Sequence, residues 1–180
     1  DHERFTGIFV MGDFQGELTP FEKLPQATDA SVRWHMTYER SVLGDQSLRF
    51  GRPDEASYEG EGRVFGRATT SLAPLPTVTH STLWFWLWLE TEETAGYDIL
   101  SVYLRVNGVE SLIWDSDSIA GTTHGNWELI EVPVVLEEAV VDGQLIFEFD
   151  SVDGIIDFFE GVYIDHLTLS TGCCVNAEDC

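Results

Sequence analysis

Residues 83–90 read LWFWLWLE, seven large apolar residues closed by an acid. Seven is too few to cross a bilayer, since a membrane helix takes roughly 20 apolar residues. The stretch therefore reads as a strand, and along a strand side chains alternate between faces. Leu83, Phe85, Leu87 and Leu89 take one face, and Trp84, Trp86 and Trp88 the other. A strand that is apolar on both faces needs a second sheet over one of them and some other cover over the second. The tryptophan face has three open uses: buried core, a flat platform for a ligand, or a contact with another subunit. Rings two residues apart lie about 7 Å from each other along a strand, a spacing that suits sugar rings.

This strand belongs to a series. SLRFG (47–51), RVFGRATTSL (63–72), STLWFWLWLE (81–90), DILSVYLRVNG (98–108), ESLIWDS (110–116), WELIEVPVVL (127–136), QLIFEFDS (144–151) and GVYIDHLTLS (161–170) are rich in β-branched and aromatic residues. Each is bounded by Gly, Pro, Asp or Asn, which makes it a strand between turns. Asn107-Gly108 is a two-residue hairpin signal that pairs 99–106 with 109–115. Helical patterns are scarce: FEKLPQATD has prolines too close together, and LEEAVV (136–141) offers one turn at most. Many short strands with no linker between them predict a single all-β domain, an antiparallel sandwich or barrel, over 1–172. Residues 1–30 form an N-terminal extension and 173–180 an acidic tail. Within the extension, RFTGIFVMG (4–12) is a first strand of the chain's own sandwich or a strand donated to a neighbouring molecule. It is also the first candidate to cover the tryptophans.

Charge excludes two classes of partner. Asp and Glu outnumber Lys and Arg by 32 to 9, for a net charge of −23. Nucleic acid and anionic membrane surfaces are bound through basic clusters, so neither is expected. A bound cation such as Ca2+ would relieve part of this excess. The three cysteines, Cys173, Cys174 and Cys180, lie in the last eight residues. Adjacent cysteines bridge each other poorly, so one of the pair is expected to close on Cys180, leaving a thiol for another chain or a longer framework. The start DHERFTG has no signal-peptide pattern, as expected of a mature form or an excised domain.

No catalytic constellation is legible. The histidines at 2, 35, 80, 124 and 166 are scattered, and no G-x-S-x-G, phosphate loop or zinc motif occurs. His124, in GTTHGNW, reads as a surface histidine, and no enzyme is expected. Acids are denser towards the end: Asp150, Asp153, Asp157, Glu160 and Asp165 fall within sixteen residues, without the spacing of an EF-hand. Strict alternation would put Asp165 beside Tyr163 and Leu167, part-buried, where a carboxylate needs a cation or several hydrogen-bond donors.

Four blocks carry a resemblance: WHMTYERSVLGDQSLRFG (34–51), YEGEGRVFGRATTSLAPLP (58–76), LWFWLWLETEETAGYDILSVYLRVNG (83–108) and FEFDSVDGIIDFFEGVYIDHLTL (147–169). In this order they resemble MAM-like jelly-roll domains, and most of all the accessory β-sandwich of immune-inhibitor-A-type (M6) secreted metallopeptidases. The tail GCCVNAEDC is similar to the start of cysteine-rich repeats in bacterial surface proteins. The resemblance implies a jelly roll in a secreted or cell-surface protein, and a Ca2+ ion held by Glu22, Asp45 and Asp165. Phe14 and Phe21 compete for the family's early aromatic position, which bears on Glu22. The chain departs from the family where Asp165 is followed by His166 instead of a second Asp, and it has no HExxH site. The function so implied is a non-catalytic accessory module that binds carbohydrate or protein. The alternative is a subunit of a surface filament or sheath linked by strand donation.

Overall fold

The computed structural model describes residues 6–12, 21–24, 31–72, 74, 80–92, 94–155 and 158–172. Eleven strands fall in this order: β1 (Thr6–Gly12), β2 (Phe21–Leu24), β3 (Arg33–Thr37), β4 (Ser47–Gly51), β5 (Phe65–Leu72), β6 (His80–Glu90), β7 (Ile99–Val106), β8 (Val109–Asp115), β9 (Glu128–Val134), β10 (Gly143–Asp150) and β11 (Gly161–Gly172). Every strand pairing is antiparallel. One sheet runs β3-β4-β11-β6-β9, with β1 also on β11; the other runs β2-β5-β10-β7-β8. This is an all-β jelly-roll sandwich of two antiparallel sheets.

The two sheets close over one core. Leu83, Phe85, Leu87 and Leu89 of β6 meet Phe147 and Phe149 of β10, all within 1% of full burial. Phe85 makes edge contacts with Phe147 and Trp114 at centroid distances of 5.4 and 5.7 Å. Burying one such side chain contributes roughly 1.5–3 kcal/mol. Trp34 of β3 closes the other end, donating its Nε1–H to the Gly66 carbonyl at 3.0 Å. Gly66 is required there, because a Cβ would stand 2.5 Å from the Phe50 ring.

The eight expected strands all form, and the Asn107-Gly108 hairpin turns with φ of 49° and 87°, both positive as this turn type needs. The hairpin tip docks on the loop between β9 and β10, where the Asn107 side chain accepts from Val141 N at 3.0 Å. Residues 136–141 contain no helical turn; a short 3-10 turn occurs instead at Ser116–Ile119. β2 and β3 were not expected, since FEKL and RWHMT lack β-branched runs; pairing with β5 and β4 supplies what local preference does not.

β1 pairs along Leu167–Gly172 of β11, and β4 along Val162–Ile164, so both extend the same edge of β11. The N-terminal strand thus adds to the chain's own sheet, as one of the two readings expected. It lies in the sheet beside β11 and not across the tryptophans of β6.

Candidate functional site: the outer tryptophan face

The predicted alternation in β6 is what the structure shows. Leu83, Phe85, Leu87 and Leu89 enter the core, while Trp84, Trp86 and Trp88 stand on the outer face of their sheet, apart from the core cluster. Their surroundings split that face into two halves.

The Trp88 half is closed. Trp88 is 3% exposed, edge-on to its cross-strand partner Tyr163 at 5.1 Å, and the Arg40 guanidinium lies 4.2 Å above its ring. Arg40 comes from the loop between β3 and β4 and grips both Glu160 oxygens at 2.8 Å. This hydrogen bonding, ahead of burial, holds the Glu160 carboxyl below the usual carboxylate range. Arg49, fully buried, sits 5.1 Å from the Tyr163 ring and pairs with Glu39 at 2.8 Å. The Tyr163 hydroxyl meets Glu39 at 3.0 Å and Glu160 at 3.2 Å, and burial pushes its ionisation well above the usual range. A cation–aromatic–carboxylate stack of this kind, its rings and Arg49 buried and its carboxylates nearer the surface, is a structural seal with each guanidinium paired to a carboxylate.

Asp165 fixes the loop that forms the seal. Its carboxylate accepts N–H bonds from Val42 at 2.6 Å, Leu43 at 3.0 Å and His166 at 2.7 Å, and the residue is fully buried. Strict alternation misplaces one neighbour. A β-bulge after Asp165, with His166 at φ 45°, turns Leu167 into the core while Tyr163 and Asp165 face outward. Hydrogen-bond donors therefore meet the carboxylate's need.

The remaining expected metal ligands are spread apart. Asp45 is exposed in the Asp165-bound loop, whereas Glu22 lies in β2 of the opposite sheet, its backbone opposite Thr69. Sheet faces stand about 10 Å apart. Asp150 pairs with Arg63, Asp153 accepts from Ile155 N at 2.9 Å, and Glu160 belongs to Arg40, so these three do not converge. Among the described residues no group of three or more His, Cys, Asp or Glu is placed to hold a metal ion. Asp157, Cys173, Cys174 and Cys180 lie outside the described residues. His124 is an exposed loop residue with φ 50°.

The Trp84–Trp86 half is open. Both rings are partly exposed, on a central strand bonded to β11 on one side and β9 on the other. Trp86 lies between Asp165 and Leu129, the latter 46% exposed; Trp84 lies between Thr168 and the exposed Glu131. Thr82, Pro133 and Ser170 extend the row beyond Trp84. The loop at 41–45, tied to Asp165, stands next to Trp86 and carries Leu43, 43% exposed. The result is two neighbouring indoles with hydroxyl and apolar flanks on a rigid strand. No sequence signal announced the Arg40 cap that separates this half from Trp88.

No family model matches the chain, and no curated protein matches it. Solved structures do match in fold. Several of these are β-sandwich carbohydrate-binding modules. The tandem CBM22-1–CBM22-2 domain of Paenibacillus barcinonensis Xyn10C aligns at a TM-score of 0.59 and 14% identity, over 98% of this chain and 49% of that one. The C-terminal family 22 module of Clostridium thermocellum Xyn10B aligns at 0.53 and 15%, over 94% and 96%. CBM27-1 of Caldicellulosiruptor saccharolyticus, solved with mannohexaose, aligns at 0.55 and 10%, over 89% and 95%. At these identities the likeness shows the fold alone. No helix among the described residues is long and apolar enough to cross a membrane.

Proposed function

We propose that this chain is a non-catalytic, extracellular carbohydrate-binding module and that glycan lies along the Trp84–Trp86 face. The observation that carries the reading is the pair of partly exposed indoles on one face of a central strand, beside a third tryptophan that is sealed. Apolar sugar faces stack on such rings, and hydroxyls at the margin orient the chain. The shared sandwich supports it, since among the similar structures one is named a xylan-binding domain and another carries mannohexaose. Strand-linked assembly has less support, because β1 hydrogen-bonds to β11 of its own chain.

The narrower kinship with the metallopeptidase accessory sandwich rests on the four sequence blocks, and so does the proposal of calcium stabilisation. A protein ligand on the same face is the competing specificity. Affinity electrophoresis through gels containing neutral xylan, mannan or β-glucan tests the main reading. Retardation in at least one gel, reduced at least tenfold in W84A and in W86A (about 1.4 kcal/mol each), is the expected result. Unretarded wild-type protein across all gels defeats it.

A further inference from the structure

Electrostatics narrows the ligand beyond carbohydrate in general. We infer that the Trp84–Trp86 face takes uncharged glycans and rejects chains bearing uronate or sulfate; this rests on the carbohydrate-binding reading above.

An acidic glycan laid on aromatic rings needs a nearby cation, an arginine fork above all, to answer its carboxylates. Among the described residues the face has none to give. Of the charged side chains on the strands flanking the pair, Glu131 is exposed opposite Trp84, and Asp165 is buried opposite Trp86 on three backbone N–H groups. Glu131 and Trp84 are directly paired across the strands, which sets their Cβ atoms about 5 Å apart. Arg40, over the neighbouring Trp88, is committed to both oxygens of Glu160.

The other arginines among the described residues are engaged or distant. Arg49 is fully buried against Glu39, and Arg52, Arg63, Arg67 and Arg105 each hold a carboxylate elsewhere. Arg33 lies on β3, three strands from β6, about 14 Å away at the usual strand spacing and beyond a Debye length at physiological salt. The backbone of Lys23, the only lysine of the chain, runs in β2 of the opposite sheet.

Over all this stands the field of a chain carrying −23. A like charge about 6 Å from Glu131 in water weakens binding about threefold at low salt. A polymer with a carboxylate on every sugar meets both Glu131 and the overall field, so the combined effect is at least tenfold. For an uncharged chain these penalties vanish, and the partly exposed Thr82 and Ser170 offer hydroxyls suited to sugar hydroxyls.

The test compares neutral polysaccharides (xylan stripped of uronate, mannan, β-glucan) with alginate and polygalacturonate by affinity electrophoresis at pH 8. Each is run at 20 mM salt and again at about 300 mM, the second being well screened. Binding to at least one neutral polymer, insensitive to salt, with uronate polymers at least tenfold weaker at low salt, is the expected result. E131K should then raise the uronate-to-neutral ratio several-fold at low salt. Uronate polymers binding as tightly as neutral ones at low salt, with E131K leaving the ratio unmoved, overturns this inference but leaves the carbohydrate reading standing. Binding to neither kind overturns both.

Discussion

Replacing Asp165 separates two accounts of one buried carboxylate. In the structure its oxygens accept three backbone N–H bonds, two from the loop that delivers Arg40 to Trp88 and one from the bulge at His166. Hydrogen bonds to a charged acceptor contribute about 1.5–3 kcal/mol each, and a buried donor left unmet costs 1–3. In D165A all three donors lose their acceptor, but the Val42 and Leu43 amides belong to a partly exposed loop that water reaches once it loosens. Counting the His166 donor in full and the loop donors in part gives about 3–5 kcal/mol. D165N keeps one acceptor oxygen and turns an NH2 towards a remaining N–H, for roughly 2 kcal/mol.

Urea unfolding in buffer containing chelator is the assay, because chelation isolates the amide contribution from any bound ion. A loss of 3 kcal/mol or more in D165A under chelator is the predicted outcome, with the Trp88 fluorescence environment altered as Arg40 is released. A loss below about 0.5 kcal/mol under chelator refutes the anchor account. If wild type alone then gains stability on adding Ca2+, the carboxylate serves a cation instead.

Three further outcomes follow from the same geometry. F85A, emptying a fully buried site between Phe147 and Trp114, costs about 3–5 kcal/mol in denaturant unfolding, whereas W84A, at a partly exposed site, costs clearly less; similar values would mean the two faces of β6 are misassigned. G161A loses 2 kcal/mol or more, since φ is +91° and a Cβ would stand 2.6 Å from the Phe50 carbonyl oxygen; a neutral substitution contradicts that packing. Glu160 is held below its ordinary value by Arg40, so its contribution is full above the unfolded carboxylate range and fades as the pH falls through that range. E160Q should therefore be less stable than wild type at pH 7, with the gap closing in that window; a gap constant down to pH 3 rules out the ion pair as its source.

Periodicity made β6 readable. Its period-2 pattern assigned Leu83, Phe85, Leu87 and Leu89 to the core and set the three tryptophans outside, because a half-period slip would exchange the faces entirely. Asn107-Gly108 was equally legible, for its turn demands two positive φ values. What escaped was non-local. Arg40 reaches Trp88 across 47 intervening positions, and nothing near either residue signals the contact. The bulge at His166 breaks the alternation that strand reading assumes, so Leu167 was placed on the wrong face. The expected trio of Glu22, Asp45 and Asp165 came from a family likeness, and the topology separates Glu22 into the other sheet. RFTGIFVMG was legible as a strand, but its partner, the edge of β11, was set by pairing over more than 150 residues of chain.

The most direct test of the glycan face is a titration followed at the tryptophan indole N–H resonances of a 15N-labelled protein. Six tryptophans give six reporters spread over the fold. A neutral oligosaccharide that binds should move the Trp84 and Trp86 signals, while Trp34, bonded to the Gly66 carbonyl, and Trp114, against Phe85 in the core, stay in place. Shifts confined to Trp34 or Trp114, with Trp84 and Trp86 unmoved at saturation, would contradict the account.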